Sequence, residues 1–354
     1  MERRVSTVDC RAKWVAGGEA SDPIVISSRV RLARNLKGIP FPGAMSSKEG
    51  SEVLSRVAKL LEQKAPHGYE VFYMAKMPQV ERLALVEEHL ISYDLANKTE
   101  GAVAISRDGA TSVMLNEEDH LRIQALLPGL SLEEAWQTAN SCDDLLEAEL
   151  DFAFHEDYGY LTACPTNVGT GMRASVMLHL PALVESRQIG RLLAAIGQFG
   201  LMARGLYGEG TEAKGSVFQI SNQVTCGIAE EEIVRNLKAV VEQIKAQEQA
   251  HLQKMVAAQR LKIEDRVYRA LGLLTNARVL DSSEAMVLLS ELRLGVSAGL
   301  LSLPVGVLSE LLVLVQPGVL QTVNKVNLDA LERDIKRGEI VRRRLLEVLG
   351  REKQ

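Results

Sequence analysis

The sequence contains few cysteines and no long apolar run. Its four cysteines, Cys10, Cys142, Cys164 and Cys226, are spread too widely over 354 residues to form a metal-binding pair or a disulfide framework. No run of about 18 apolar residues is present, which excludes a typical membrane-spanning helix. The lack of cysteine pairs favours a reducing compartment. The length of 354 residues is sufficient to bury a sizeable core.

Two further absences narrow the class of protein. The formal net charge is -5, so the chain lacks the basic field that attracts nucleic acid. The amino terminus, Met1-Glu2-Arg3-Arg4, continues into polar residues and lacks the apolar core of a signal peptide. We therefore expect a cytoplasmic protein that binds neither nucleic acid nor a membrane.

The hydrophobic pattern divides the chain into two regions. From about residue 24 to 228, β-rich runs (101–106, 112–115, 175–180) mix with helical runs (47–63, 79–93, 181–200). From residue 230 the apolar residues recur at helical spacing, with helix starts at 281–284, at Pro304 and near 328. The sequence predicts an α/β (α+β) domain over residues 1–255, with a largely antiparallel sheet flanked by helices, and an all-helical domain over residues 256–354.

Three consecutive carboxylates precede an arginine in residues 116–122, NEEDHLR. Neighbouring acids repel one another unless a cation, a metal or a cationic substrate compensates them. An acidic surface turn is the alternative interpretation, because Asp and Glu are usually exposed.

Two other segments contain further arginines, and one of them also contains a cysteine. Residues 164–173, CPTNVGTGMR, put Cys164 at the head of a Gly-rich loop that ends in Arg173. Residues 27–31, SSRVR, place Arg29 and Arg31 two positions apart, the spacing of one face of a strand. A lone cysteine is commonly a small buried side chain, so this loop by itself does not establish a reactive thiol.

Together these segments resemble the phosphagen kinase family, the ATP:guanidino phosphotransferases. The resemblance continues in the family's order and spacing through residues 204–209, RGLYGE, and 220–222, ISN, and covers about residues 20–250. Within that family the chain is most similar to the bacterial protein-arginine kinases of the McsB type. The resemblance implies a phosphagen-kinase-like catalytic domain that uses ATP and Mg²⁺, with the metal held by phosphate oxygens and water and by no dedicated protein site.

The resemblance assigns the acceptor side of the reaction to Glu118, Glu209 and Cys164. A guanidinium is a poor nucleophile because it stays protonated, so it needs carboxylates that align it and accept a proton. Glu118 is implied to hold the acceptor and to serve as general base, and Glu209 to be a second clamp. Cys164 is implied to polarise the acceptor as a thiolate without a covalent intermediate.

The donor side is implied to be an arginine array that cradles the triphosphate. Neither a P-loop nor the Gly-rich motif of protein kinases is present in the sequence. His89 matches a nucleotide-site position, and its alternative interpretation is a surface-helix histidine. The residues implied to bind nucleotide are Ser27, Ser28, Arg29, Val30, Arg31, His89, Arg122, Arg173, Ala174, Ser175, Val176, Met177, Arg204, Gly205, Leu206, Tyr207 and Gly208.

Three positions of the catalytic region depart from the family pattern. Met177 stands where relatives carry a histidine near the adenine, which predicts thioether packing against the base. Gly210 stands where relatives often place a histidine, and Gln219 replaces an aspartate. The implied Arg and Glu set is unchanged.

Two features point to a protein substrate. Only 26 residues precede Ser27, where creatine and arginine kinases carry a helical domain that closes over a small substrate. Arg333, Asp334 and Arg337 resemble a pocket of the family that binds phosphoarginine and tunes activity, with Gly338 in place of its alanine. A solvated basic helix is the alternative interpretation of this segment.

The resemblance therefore implies a cytoplasmic protein-arginine kinase that forms a homodimer through its helical domain. It further implies an activator protein of the McsA type, the marking of proteins for a Clp ATPase/protease, and regulation of a stress-response repressor. Two alternatives remain: a phosphagen kinase that acts on free arginine, and a non-catalytic adaptor that binds phosphoarginine.

Overall fold

The computed structural model describes residues 11–16, 22–64, 68–205 and 213–350. Within them an antiparallel sheet of eight strands has the order β2-β3-β4-β5-β1-β8-β10-β9, and β6 and β7 form a separate hairpin. The strands are β1 Val25–Arg34, β2 Tyr69–Tyr73, β3 Ala102–Ser106, β4 Thr111–Leu115, β5 Leu121–Pro128, β6 Phe154–His155, β7 Gly159–Tyr160, β8 Met172–His179, β9 Leu201–Gly205 and β10 Val217–Asn222.

Helices cover one face of this sheet and continue into a helical carboxyl-terminal region. They are α1 Ser47–Lys64, α2 Gln79–Glu87, α3 Tyr93–Ala96, α4 Leu132–Glu147, α5 Pro181–Glu185, α6 Ile189–Gly197, α7 Glu230–Asn276, α8 Ser282–Ser297, α9 Val305–Leu314, α10 Pro317–Asn324 and α11 Ala330–Val348. Asp281 caps α8 through the N–H groups of Ser283 and Glu284. Asp329 and Glu332 form a capping box on α11.

Strand alternation separates two faces of the sheet. Val30 and Leu32 of β1 are fully buried in a core that also contains side chains of α1, α4 and the first part of α7. Arg29 and Arg31 alternate with them and lie on the other face. That other face also packs against the helical region, since Met177 and Leu126 share a second core with residues of α8 and α9.

The antiparallel sheet and the helical carboxyl-terminal region confirm the predicted fold class. Two predicted helices were too long. The run 79–93 ends with α2 at Glu87 because His89 adopts a left-handed conformation with φ of 60°, which an α-helix does not tolerate. The run 181–200 is divided into α5 and α6 around Arg187, whose φ is 57°.

Buried polar contacts join the helical region to the sheet region. The Glu87 carboxylate accepts hydrogen bonds from the N–H groups of Gly318 (3.0 Å) and Val319 (2.8 Å) at the first turn of α10. Arg293 of α8 donates to the carbonyl of Pro23 (3.2 Å), just before β1. The predicted boundary at residue 255 lies inside α7, four residues before Gln259, whose backbone (φ -142°, ψ 39°) departs from helical geometry.

Among the described residues no single helix is both long enough and apolar enough to cross a membrane, whereas α9 and α10, bent by 91° at their junction, satisfy that test only as a pair.

Candidate active site

Strand register brings four of the predicted arginines onto one face of the sheet. Arg31 lies opposite Arg173 of β8 and opposite Gln124 of β5. Arg122 lies opposite Ala33, and Arg29 lies opposite Ser175. Residues paired across antiparallel strands share a face, so segments far apart in sequence converge on one cationic surface.

This surface is rich in positive charge, and two of its guanidinium groups have a donor without an acceptor. Burial and then the neighbouring Arg122 lower the pKa of Arg29 to about 10. Burial, followed by Arg29, Arg122 and Arg173, lowers the pKa of Arg31 well below its usual value. The Nε atoms of Arg31 and Arg173 are buried and have no hydrogen-bond partner among the described residues. Orphaned guanidinium donors beside mutually repelling charges fit an anion with several oxygens, such as a triphosphate.

A small cavity lies beside Arg29. Its lining includes Ser27, His89, Met177 and Gln219. Burial and the charge of Arg29 lower the pKa of His89 to about 3, so its ring is neutral at physiological pH. Its ring centroid lies 5.5 Å from that of Trp14. His89 is therefore a half-buried residue in a left-handed turn after α2, at the edge of the arginine face, and not a histidine on a surface helix.

Four residues of the implied nucleotide set have side chains on the opposite face. Val30, Ala174 and Val176 are fully buried in the core beneath the sheet. The Ser28 hydroxyl donates to the carbonyl of Gly129 (2.8 Å) and accepts from the N–H of Ser131 (3.0 Å). Strand alternation turns these four side chains away from the arginines, which leaves only the backbone atoms of these residues to contact a nucleotide bound on that face, and their place in the nucleotide set stays a prediction.

The three consecutive carboxylates have three different environments. Glu117 is fully buried, and two of its neighbours donate to it: Ser92 (Oγ, 2.7 Å) and Arg122 (Nη1, 2.8 Å). Glu118 is 41% exposed and accepts from Nη2 of Arg122 at 2.8 Å. Desolvation raises the pKa of Glu118, against the opposing effect of Arg122. Glu118 is thus the accessible carboxylate of the run, next to the arginine face.

Asp119 connects the acidic turn to the cysteine loop. Its Oδ1 atom accepts from the Ala163 N–H (2.7 Å) and from Nδ2 of Asn35 (2.6 Å). Asn35 in turn accepts the N–H of His120 at 2.9 Å. The sequence analysis missed Asn35 and Ser92 as supporting residues, because no local pattern shows that they meet the acidic turn.

Cys164 is half-buried at the start of this loop, with Sγ 3.0 Å from the hydroxyl of Thr166. Thr225 holds the loop from below by donating to the carbonyls of Thr166 (3.0 Å) and Val168 (2.7 Å). Because Asp119 holds the residue before Cys164 and directly follows Glu118, the two predicted acceptor-side residues lie on segments tied together.

Arg204 lies near the end of β9, opposite Gln219, and is exposed. Its register extends the arginine face toward that edge of the sheet. Glu209, Leu206, Tyr207, Gly208 and Gly210 lie outside the described residues. In the part of the chain that the structure describes, no three His, Cys, Asp or Glu side chains are grouped to hold a metal ion.

The second arginine cluster lies on α11 and is rich in acceptors. Arg337 is buried, and it donates from Nε to the carbonyl of Val315 (2.7 Å) and from Nη1 to that of Leu280 (2.8 Å) and to Asp334 (2.5 Å). Arg333 donates to the carbonyl of Leu328 at 2.9 Å. Arg337 therefore joins α9, α11 and the segment before α8, which corrects the picture of a solvated basic helix.

The sequence matches two family descriptions along most of its length. Residues 52–251 match the ATP:guanido phosphotransferase C-terminal catalytic domain, and residues 260–354 match the C-terminal domain of the protein-arginine kinase McsB. The chain is 50% identical over 339 residues to a protein-arginine kinase of Moorella thermoacetica, covering 94% of this chain and 96% of that protein. It is 47% identical over 343 residues to the protein-arginine kinase of Bacillus licheniformis, covering 94% and 93%.

Solved structures with the same fold include two kinases. A duplicated taurocyamine kinase from Schistosoma mansoni, with bound transition-state-analogue components, is 27% identical, with a TM-score of 0.57 over 68% of this chain and 35% of that chain. A lombricine kinase has a TM-score of 0.57 over 69% of this chain and 71% of that chain, and its 23% identity supports likeness of fold alone.

Proposed function

The chain belongs to the ATP:guanido phosphotransferase family and is an enzyme, and we propose that it is a protein-arginine kinase that phosphorylates arginine side chains of proteins with ATP. One observation carries this proposal. An arginine surface with orphaned donors borders an accessible carboxylate of raised pKa. The arginine surface fits a triphosphate. The carboxylate fits a substrate guanidinium that must lose a proton. The relatives named protein-arginine kinase support a protein as the acceptor.

On the donor side, Arg29, Arg31, Arg122 and Arg173 bind the phosphate oxygens. Their fixed positions on three paired strands, β5, β1 and β8, supply positive charge where the transferring phosphoryl group develops negative charge, without reorganisation during the reaction. Mg²⁺ enters with ATP as part of the substrate, bound by phosphate oxygens and water, and neutralises further phosphate charge.

On the acceptor side, Glu118 aligns the guanidinium of the substrate arginine. One guanidinium nitrogen attacks the γ-phosphorus, the bond from that phosphorus to the bridging oxygen of ADP breaks, and the nitrogen gives up a proton to Glu118. Desolvation favours this role because it makes Glu118 a stronger base. Cys164, on the loop tied to the acidic turn, polarises the guanidinium from a second side, and Glu209 completes the clamp.

The finer biological role is part of the proposal. We infer a cytoplasmic enzyme that marks proteins for a Clp ATPase/protease, modulates a stress-response repressor, responds to an activator of the McsA type and forms a homodimer. Asp334, which follows Arg333 and pairs with Arg337, is the carboxylate that we infer accepts the guanidinium of a phosphoarginine. These inferences are supported by the family resemblance and by the match of residues 260–354 to the McsB C-terminal domain.

The test is ATP-dependent phosphate transfer to casein, compared with free arginine. We expect acid-labile phosphate on arginine residues of casein, located by mass spectrometry, and little on free arginine. Glu118→Ala should abolish the label while the circular dichroism spectrum is retained. Label on free arginine alone would establish the phosphagen kinase alternative, and phosphoarginine binding without any transfer would establish the adaptor alternative.

A further inference from the structure

Arg29, on the arginine face of the sheet, donates to two neutral side chains and, among the described residues, to no carboxylate. Its Nη2 atom donates to Oε1 of Gln219 at 3.0 Å and its Nε atom donates to the hydroxyl of Ser175 at 3.3 Å. Both acceptors are neutral. The pKa of Arg29 is lowered to about 10 by burial and by Arg122, and no carboxylate counteracts that shift.

Several other guanidinium groups pair with acids, although the buried Arg293, like Arg29, donates to neutral acceptors, the carbonyl of Pro23 and the hydroxyl of Ser309. Arg34 binds Asp143, Arg122 binds Glu117 and Glu118, and Arg266 binds Glu185 and Glu291. A glutamate has the same length as a glutamine and would bind Arg29 more strongly in a partly buried position. The neutral amide of Gln219 therefore binds Arg29 more weakly than a carboxylate would, and it leaves the positive charge of Arg29 uncompensated.

The geometry around Gln219 is defined by its neighbours. A guanidinium only donates hydrogen bonds, so the amide oxygen of Gln219 faces Arg29 and its NH₂ group points away. Across the strands Gln219 lies opposite Met177 on β10–β8 and opposite Arg204 on β10–β9. Met177 and Arg204 lie on the same face of the sheet as Gln219. Gln219 therefore lies between Arg29 and Arg204, with the apolar Met177 beside it.

We propose that Gln219 is a positioning residue of the nucleotide site: it orients Arg29 without neutralising it, so that the full guanidinium charge acts on the polyphosphate of ATP. The uncharged Met177 opposite Gln219 adds no charge of its own beside Arg29. This inference rests on the proposed function, since it assumes that the arginine face binds ATP.

The test compares a charged with an uncharged replacement. Gln219→Glu retains an acceptor for Arg29 but adds a negative charge, and we expect it to raise the Kd and KM for MgATP by about tenfold or more. Gln219→Met removes the acceptor without adding charge, and we expect a rise of only a few-fold. The loss in Gln219→Glu should be smaller for AMP, which carries less charge than ATP.

A rescue variant provides the second readout. In the double variant Gln219→Glu/Met177→His, the imidazole directly across the strands can pair with the new carboxylate, and we expect much of the MgATP affinity to return. Binding is measured by calorimetry on the full chain, with thermal unfolding as a check of folding. If Gln219→Glu does not fold, Gln219→Asp takes its place with the same expectation.

A purely structural role predicts the opposite order. Gln219→Glu would then bind MgATP as well as the unmodified chain, Gln219→Met would be the weaker binder, and the losses would be equal for ATP and AMP; any of these results overturns the inference. If the unmodified chain neither binds MgATP nor phosphorylates casein, the proposed function itself fails. These two failures are distinguishable because the first is seen only in the variants.

Discussion

The arginines on the two faces of strand β1 differ in their hydrogen-bond and ion-pair partners. Arg29 and Arg31 face the cationic surface, where Arg31 Nε lacks a hydrogen-bond partner among the described residues. Arg34, three residues beyond Arg31, is 1% exposed on the other face, bound to Asp143 at 2.6 Å and stacked 3.5 Å above the ring of Tyr160. The same residue type is left short of acceptors on one face and fully paired on the other.

The difference separates a binding surface from a structural contact. A buried charge with its partner in place contributes to a defined fold, whereas clustered like charges without acceptors destabilise the protein until an anion binds. Substitution of each arginine should therefore lower either the free energy of unfolding or the catalytic activity, but not both.

Replacing Arg31 should produce the largest effect on activity. We expect Arg31→Ala to lower turnover by about 10³-fold or more, comparable to loss of an arginine that stabilises a transferring phosphoryl group. The free energy of unfolding should stay the same or increase, because repulsion with Arg29, Arg122 and Arg173 is relieved. Steady-state kinetics and urea unfolding check both parts, and a large loss of stability would place Arg31 with the structural arginines.

Replacing Arg34 should show the reverse pattern. We expect Arg34→Ala to lower the free energy of unfolding by about 3–5 kcal/mol, because the Asp143 carboxylate is left buried without its cation. The double variant Arg34→Ala/Asp143→Ala should recover part of that loss. Chemical denaturation of both variants measures it, and equal stability of Arg34→Ala and the unmodified chain would contradict the assignment.

The acidic neighbours of the arginine face offer a pH test. Glu118→Gln should lower kcat/KM by about 10²-fold or more, since the base is lost. In the unmodified chain the carboxylate form is required, so kcat/KM should fall as the pH drops through the Glu118 pKa, which desolvation raises above its usual value of 4.5. The variant should lack this acid limb. A pH profile unchanged by the substitution would exclude Glu118 as the base.

The arginine cluster on α11 should behave as the structural face of β1 does. We expect Arg337→Ala to lower the free energy of unfolding by about 2 kcal/mol, because the carbonyls of Val315 and Leu280 lose their donor. Basal turnover per folded molecule should persist. Arg333→Ala, which removes one bond to Leu328, is the matched control and should cost less. Loss of turnover without loss of stability would assign Arg337 to catalysis.

Local patterns predicted several parts of the molecule. The spacing of Arg29 and Arg31 indicated one strand face, and the cap residues at 281–284 indicated the start of α8. The break at His89 was missed because a left-handed conformation in a polar residue has no local signal in the hydrophobic pattern. The roles of Glu117 and Asp119 were also missed, because three identical charges in a row do not reveal which of them is buried.

The sequence by itself determined which arginines share a strand face, where several helices begin, and which motifs match a known family. Only the tertiary structure decided what each charge meets. Register placed Arg173 beside Arg31, and folding brought Asp143 to Arg34 but Gln219 to Arg29. The physical reason is that hydrophobic alternation is local, whereas desolvation and charge pairing depend on residues far apart in sequence.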